Sequence, residues 1–408
     1  MKRTVIIVPL LLSAIAAGAQ NTLRIDYEFA GTADEAVISV AQVRSVTGWA
    51  GRRVNTGSVP LRGNGSITMS DAKSGKVLYC NSFSTLFQEW QNTEEATRVR
   101  KSFENVFLLP MPEKPATVQV ELYDSYGRTA ASLTHPVDPA DILIRPAVSG
   151  APVTDLHIGG STADCIDVAI VAEGYTAVQM EEFRSHARAA VESILSHEPF
   201  KSLADRFNFR AVELESADSG VSVPRKGLWL STPLSSHFDT FYSDRYLTTL
   251  HLRDLHDRLA GVPYETIIIL ANTDTYGGGG IYNSYTLTAS RNALFRPVVV
   301  HEFGHSFAGL ADEYFYDDQY SDYYHPDVEP WEPNITTKAD FSSKWEDMTG
   351  RDGVGLFEGG GYMSKGVWRA CRNCRMRTNE AASFCPVCRR AIERMIRFLT
   401  EESEREGQ

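Results

Sequence analysis

The sequence HEFGH at positions 301–305 constrains this 408-residue chain more than any other feature. An apolar stretch precedes it, and Pro297 suits the first turn of a helix. On a helix, His301 and His305 are one turn apart and project from the same face. Two imidazoles at that separation can bind one zinc ion, and Glu302 beside them can act as general base on a zinc-bound water. A packed helix gains nothing from two desolvated imidazoles without a partner, so the pattern predicts a metal site.

A third ligand is expected shortly after this helix, because a catalytic zinc ion takes three protein ligands and a water molecule. Gly309 can take the left-handed conformation that ends a helix and turns the chain back. Asp312 or Glu313 is then placed to return towards the metal. The alternative for either carboxylate is a salt bridge at the end of the helix.

The segment HEFGHSFAGLADEY at positions 301–314 resembles the metzincin clan of zinc metallopeptidases and, within that clan, the M64 or IgA peptidase family. The glycine-rich segment before it and the Cys-x-Met and Cys-Pro-Val-Cys sequences after it are also similar to that family. The likeness spans about residues 167–399, and the region ahead of it matches the family's usual N-terminal partner. The clan pattern HExxHxxGxx(H/D) is lengthened here by one residue before Gly309, so the acidic candidate is Asp312 and not Ala311.

Carried over to this sequence, the resemblance implies that His301 and His305 are zinc ligands and that Glu302 is the catalytic acid and base. It also implies that Asp312 is the third ligand, with Glu313 as the alternative because of the extra residue.

The resemblance also implies a methionine on a tight turn beneath the zinc site. Met376 and Met363 are both candidates, and spacing from the helix does not choose between them. The resemblance favours Met376. Its role would be to pack under the imidazoles, and an ordinary core methionine is the alternative.

Two Cys-x-x-Cys pairs, Cys371 with Cys374 and Cys385 with Cys388, flank this methionine. Such spacing is typical of a structural zinc site in a cytosolic protein, whereas disulfides are more common in exported proteins. We expect at least one disulfide that closes the loop holding Met376. Four cysteines permit three pairings, so the partners stay open, and a structural zinc site is the alternative.

The first nineteen residues predict export. Lys2 and Arg3 precede an apolar run, and small residues at 17–19 suit cleavage by a signal peptidase. The run is shorter than the roughly 20 residues that span a bilayer, so no membrane span is expected. The mature protein should be periplasmic or extracellular. A formal net charge of −12 argues against a nucleic-acid partner, which requires a basic surface.

Periodicity divides the mature chain into two domains. Residues 20–145 alternate polar and apolar side chains between turn signals, which predicts a β-sandwich with a helical insertion around 93–104. Residues 146–164 have the composition of a linker, residues 165–400 form the catalytic domain, and 401–408 are a tail. Strands at 168–172, 207–214 and 266–271 alternate with helices at 176–197 and 246–259, which predicts a mostly parallel, twisted sheet. The fold class is therefore α+β, with a metzincin-like α/β zinc-peptidase domain after the sandwich.

Four glycines at 277–280 permit a close backbone approach, and the strand after them could pair with an extended peptide. A flexible hairpin is the alternative. The sequence does not rank the tyrosines that could donate to a tetrahedral intermediate, namely Tyr314, Tyr323, Tyr324 and Tyr362.

These features predict a secreted zinc metalloendopeptidase that acts on a protein or peptide, with Zn²⁺ as cofactor and Glu302 as general base. One alternative is a secreted binding protein with a vestigial metal site. Another is a zinc amidase that acts on cell-wall peptides.

Overall fold

A computed structural model of the chain describes residues 20–317 and 323–402. The predicted signal peptide at 1–19 and residues 403–408 of the predicted tail lie outside the described residues. Within the described residues, no helix has both the length and the apolar character needed to cross a membrane. The fold is mixed α+β, with many strands, few helices and a separate N-terminal domain.

The N-terminal domain is built from two four-stranded sheets that face each other, in the orders β5-β1-β2-β8 and β4-β3-β6-β7. Apart from the short parallel pair of β2 and β8, neighbouring strands are antiparallel. Aromatic rings join the two sheets, with the rings of Phe83 and Phe107 4.4 Å apart. The elements of this domain are β1 (Thr22–Gly31), β2 (Ala36–Val46), β3 (Gly65–Asp71), β4 (Val77–Phe83), α1 (Leu86–Gln91), β5 (Lys101–Pro110), β6 (Ala116–Tyr123), β7 (Thr129–Val137) and β8 (Arg145–Pro146).

The helical insertion in this domain starts earlier than the sequence predicted. The Thr85 side chain accepts a hydrogen bond from the Gln88 backbone and caps α1 at its N-terminus. A single short 3-10 turn follows at Glu94–Thr97. The rest of the predicted insertion, from Lys101 onwards, is strand β5, because it completes the sheet beside β1.

The second domain is centred on a six-stranded sheet in the order β13-β14-β12-β10-β11-β9. The four inner strands run parallel, and the two edge strands, β9 and β13, are antiparallel to their neighbours. Every residue of β10 is buried, as expected for a strand covered on both faces. The elements up to the motif helix are β9 (Val153–Ile158), β10 (Ile166–Glu173), α2 (Met180–Leu195), β11 (Phe207–Val212), α3 (Leu252–Arg258), β12 (Thr266–Ala271), β13 (Gly278–Ile281), β14 (Tyr285–Ala289) and α4 (Phe295–Ala308).

Two predicted boundaries in this domain differ from the structure. The predicted linker at 146–164 contains strand β9, which pairs with β11 at the edge of the sheet. The predicted helix at 246–259 is helical only from Leu252, because residues 240–248 instead form turns and bridges beside β13.

The segment after α4 forms a small sheet and a final helix. Its elements are β15 (Phe315–Tyr316), β16 (Ile335–Thr336), β17 (Phe357–Gly360), β18 (Tyr362–Arg369) and α5 (Pro386–Thr400). Strand β18 pairs with each of the other three strands. This segment carries the remaining site candidates, since Asp312 precedes the small sheet and the four clustered cysteines lie between β18 and the first turn of α5.

Candidate metal centre

Helix α4 carries the two histidines of the motif and ends where the sequence predicted. Gly309 adopts φ +59°, and its backbone N–H donates to the carbonyl of His305 at 3.0 Å. This left-handed residue ends the helix and redirects the chain. As a result, Asp312 reaches the face of α4 that carries both imidazoles.

Three acceptor atoms converge at this face. Oδ1 of Asp312 lies 3.0 Å from Nε2 of His301 and 3.2 Å from Nε2 of His305, and the two Nε2 atoms are 3.0 Å apart. The structure thus brings Asp312, and not Glu313, to the histidine pair.

The opposite nitrogen of each imidazole faces a backbone carbonyl. Nδ1 of His301 is 2.9 Å from the carbonyl of Arg375, and Nδ1 of His305 is 2.5 Å from that of Leu310. A carbonyl only accepts, so each Nδ1 must carry the hydrogen. In the neutral form of each ring, the lone pair is therefore on Nε2 and faces the converging point.

The donor set fits a zinc ion. Zinc binds histidine nitrogen and carboxylate oxygen at about 2.0–2.2 Å, which places tetrahedral ligands about 3.3 Å from one another. The carboxyl group of Asp312 is only 6% exposed, and within the described residues its Oδ1 has no hydrogen-bond donor. A buried anionic oxygen beside two imidazole nitrogens favours a cation at this point.

The electrostatics of the group also favour a cation. Burial opposes a charge on His305, but the adjacent Asp312 carboxylate outweighs it and raises the pKa of His305 to about 9. Burial likewise opposes ionisation of Asp312, yet His305 and His301 hold the pKa of its carboxyl well below the ordinary range. The same field that retains a proton here would stabilise a divalent ion.

Glu302 lies at the rim of the same site. One of its carboxylate oxygens is within 4.8 Å of a ring nitrogen of each histidine. Burial raises the pKa of Glu302, and the two imidazoles partly offset this effect. The carboxyl group therefore lies beside the point at which the two Nε2 atoms and Oδ1 of Asp312 converge.

The predicted glycine-rich segment lies directly over α4 as the edge strand β13. A Cβ atom on Gly278 would lie 3.1 Å from Oε1 of Glu302, and one on Gly280 would lie 2.8 Å from Cβ of His305. The glycines therefore permit a close backbone approach to the motif helix itself. This arrangement places an edge strand immediately beside Glu302.

Met376 lies beneath the motif helix. Its side chain is fully buried, with Sδ 2.8 Å from where a Cβ on Gly304 would be, and its carbonyl accepts from the Glu313 backbone at 2.8 Å. Met363 instead lies on β18 at the small sheet. Of the two candidates, the structure brings Met376 under the site.

Glu313 points away from the histidines into a group of cysteines. Its Oε1 accepts from Nδ2 of Asn334 at 3.1 Å and from the thiol of Cys388 at 3.1 Å. Burial raises the pKa of Glu313 to about 8. The adjacent carboxylates Asp312 and Glu313 are thus directed at two different clusters.

The expected disulfide in the loop around Met376 is absent. All six cysteines are free and buried in the described structure, and Sγ of Cys374 is 3.7 Å from Sγ of Cys388. A disulfide requires about 2.05 Å. Three of these cysteines, Cys374, Cys385 and Cys388, are instead gathered as thiols together with Glu313.

The tyrosines that the sequence did not rank have distinct positions. The hydroxyl of Tyr362 donates to Oδ2 of Asp312 at 2.5 Å, and the ring of Tyr314 stacks beside that of His301 at 6.5 Å. The hydroxyl of Tyr324 donates to Glu332 at 3.1 Å. The ring of Tyr323 contacts the ring of Tyr362.

Two residues near the histidine site, Glu89 and Tyr246, could not be identified from the sequence. The hydroxyl of Tyr246 donates to the carboxylate of Glu89, which lies on α1 of the N-terminal domain, 157 residues away in the chain. The ring of Tyr246 is 2.9 Å from where a Cβ on Gly279 would be. Burial raises the pKa of Glu89 to about 7, and the charges of His305 and Asp312 also act on it. Only the folded structure brings these residues together.

A helix-borne histidine pair joined by a returning carboxylate, with a glutamate beside it, defines a candidate metal centre of the hydrolytic type. Comparison with protein families identifies the chain. The IgA Peptidase M64 family matches residues 154–352 and 349–396, which is more than half of the chain, and the Peptidase M64 N-terminus family matches residues 16–134. The chain therefore belongs to the IgA peptidase M64 family, which confirms the resemblance to that family and indicates a peptidase. A comparison with curated proteins finds no match.

Proposed function

We propose that the chain is an exported zinc-dependent endopeptidase whose metal is held by His301, His305 and Asp312. The observation that carries this proposal is the convergence of two Nε2 atoms and a carboxylate oxygen within 3.0–3.2 Å of one another. Both Nδ1 hydrogens are already committed to carbonyl groups, so the Nε2 atoms are the ones that face the converging point. Membership of a peptidase family supports a protein or peptide as the substrate.

The chemistry that a bound zinc ion supplies is polarisation of the scissile carbonyl and activation of a water molecule. Glu302 accepts the proton of the attacking water and then donates it to the departing amine nitrogen. Its raised pKa suits both steps, because a carboxyl group with an ordinary pKa returns a proton poorly near neutral pH. Tyr362 orients Asp312 through its hydroxyl.

The substrate backbone would lie along β13, the edge strand nearest to Glu302. An edge strand offers unpaired N–H and C=O groups to an extended peptide. Tyr246 already forms a bridge with Gly278, which confines pairing to the later residues of β13. The glycines keep this strand close to the base, so the scissile bond of a paired peptide would pass Glu302.

Export is proposed from the charged start and apolar run of residues 1–19, which are typical of a cleaved signal peptide.

The experiment that tests this proposal is cleavage of casein by the purified full chain, with the new termini identified by mass spectrometry. We expect chelator-sensitive endoproteolysis. Glu302→Gln should lower turnover by about 10²–10⁴-fold, the typical share of general acid–base catalysis, while zinc content is retained. Glu346→Gln, at an exposed glutamate, is the matched control. Turnover of Glu302→Gln near that of the control would exclude the proposed mechanism.

The two alternative functions give different results in the same experiment. A binding protein with a vestigial site would bind zinc without cleaving any substrate. An amidase would leave casein intact and cleave cell-wall peptides.

A further inference from the structure

Besides the histidine site, the described structure has a second cluster of residues that can bind a metal. It lies under helix α4 and consists of the two Cys-x-x-Cys pairs. Cys371 and Cys374 follow β18, and Cys385 and Cys388 open α5. All four side chains are buried, with exposures of 6, 0, 4 and 0%. We call these four residues the cysteine cluster.

Three of the four cysteines are placed like ligands around one centre. The sulfurs of Cys374, Cys385 and Cys388 and a carboxylate oxygen of Glu313 all lie within 4.8 Å of one another. The fourth thiol, that of Cys371, is not part of this group of atoms, but it hydrogen-bonds with the thiol of Cys385. Four thiolates around a zinc ion, each about 2.3 Å from the metal, are about 3.8 Å apart, and the observed Cys374–Cys388 separation is 3.7 Å.

Backbone groups around the cluster favour thiolates. The N–H of Cys385 donates to Sγ of Cys374 at 3.3 Å, and the N–H of Cys388 donates to Sγ of Cys385 at 3.5 Å. Cys385 is also the N-cap of α5, where the helix dipole stabilises negative charge. Buried thiolates packed this closely repel one another unless a cation lies between them.

We propose that the cysteine cluster binds a structural Zn²⁺ ion, with Cys371, Cys374, Cys385 and Cys388 as its four ligands. Four-thiolate sites select zinc among the common divalent ions and are closed to water. This site is distinct from the histidine site and does not depend on whether the chain hydrolyses peptides.

The structural ion would fix two parts of the histidine site. Between the two Cys-x-x-Cys pairs lie Arg375, whose carbonyl orients His301, and Met376, which packs under Gly304. On the other side, Oε1 of Glu313 lies 3.1 Å from Sγ of Cys388, and Glu313 is bonded in the chain to Asp312. One ion would therefore fix both the loop of Arg375 and Met376 beneath the histidine site and the segment that carries Asp312.

The test is zinc content per chain of the purified full-length protein, measured by mass spectrometry of the metal. We expect two equivalents in the wild type and one in His301→Ala/His305→Ala. Adding Cys374→Ser and Cys388→Ser to that variant should remove the remaining equivalent. Cys80→Ser/Cys165→Ser is the matched control, since these buried cysteines lie outside the cluster, and it should retain both ions.

Because a cysteine variant can fail to fold, cobalt substitution of the His301→Ala/His305→Ala protein provides a second measurement. Bound Co²⁺ should show intense sulfur-to-cobalt charge-transfer absorption. A single equivalent of zinc in the wild type that disappears from the double-histidine variant would overturn the proposal. Disulfides among the four cysteines, detected by mass spectrometry without reduction, would also overturn it.

The fourth ligand is decided by two single variants. Cys371→Ser should lower the affinity of the remaining zinc in the double-histidine variant, and Glu313→Gln should leave it bound. The reverse result would overturn the assignment of Cys371 and make Glu313 the ligand.

Discussion

At the residue scale, the three proposed zinc ligands are oriented by different kinds of group. Backbone carbonyls hold both imidazoles, whereas the hydroxyl of Tyr362 holds Asp312 at 2.5 Å. Of these orienting groups, only the hydroxyl of Tyr362 can be removed by a substitution. Tyr362→Phe should therefore weaken zinc binding at the histidine site by about 10–100-fold, the usual effect of losing such an outer hydrogen bond. Zinc retained during dialysis against graded chelator measures this, and Tyr324→Phe, whose hydroxyl contacts Glu332 instead, should match the wild type.

The adjacent carboxylates give a second prediction at this scale. Asp312→Ala removes a ligand, so zinc affinity at the histidine site should fall by more than in Tyr362→Phe. Glu313→Ala should affect that site less, because its side chain points into the cysteine cluster. The same dialysis on both variants compares them. A larger loss from Glu313→Ala would mean that the acidic ligand has been assigned to the wrong residue.

The parts of the site that sequence could predict are those set by local spacing. His301, Glu302 and His305 lie within one helical turn, so their shared face follows from helix geometry. Glu89 and Tyr246 meet only through the packing of two domains. The carbonyls that orient the imidazoles belong to backbone that every residue type carries, so no side-chain pattern marks them.

At the scale of elements, the contact of β13 with α4 depends on the absence of a side chain at Gly280. A Cβ atom there would collide with the carbonyl of Glu302 and lie 2.8 Å from Cβ of His305. Gly280→Ala must therefore push the strand away from the helix. We expect the free energy of unfolding to fall by about 1–3 kcal/mol, the usual cost of overpacking. Zinc binding should weaken as well, because His305 must move.

Urea unfolding measures this change, with Gly150→Ala as the control because no atom lies within 4 Å of where its Cβ would be. Equal unfolding midpoints for the two variants would show that the strand can shift without cost.

The elements that sequence could predict are the buried parallel strands. The strand predicted at 266–271 is β12, because a continuous apolar run between turn signals has few other structures. Strand β9 lies at the edge of the sheet, where its side chains are only partly buried. Its sequence therefore has the composition of a linker and does not predict a strand. The helix predicted from Tyr246 was wrong over its first residues, since the tertiary contacts of Tyr246 override the local pattern.

At the scale of the whole molecule, the two domains pack against each other. A single hydrophobic core includes buried residues of both. Arg24 on β1 pairs with Asp257 on α3 at 2.5 Å, and the Ser84 backbone donates to the Tyr282 carbonyl at 3.0 Å. We therefore expect the N-terminal domain to support the site, with Glu89 as a titratable group on which the charges of His305 and Asp312 act.

Glu89 predicts a pH dependence of stability whose sign follows from its pKa. Burial raises this pKa from 4.5 to about 7 in the folded chain. Between these two values the folded state binds more protons than the unfolded state. The stability that Glu89 contributes to the folded state is therefore full below pH 4.5 and is lost as pH rises through 7. Glu89→Gln cannot ionise and should lack this loss. In chelator-treated protein, the variant should therefore gain stability relative to the wild type as pH rises from about 5 to 7.5.

Urea-unfolding midpoints of both proteins at several pH values test this prediction, and Glu94→Gln, at an exposed glutamate of the same domain, provides the control. Adding zinc should reduce the pH-dependent difference, because a cation near His305 and Asp312 stabilises the ionised Glu89 and lowers its pKa. Parallel midpoints for wild type and Glu89→Gln across this range would mean that Glu89 titrates as an ordinary surface carboxyl. A difference that zinc leaves unchanged would mean that the N-terminal domain does not sense the charge of the metal site.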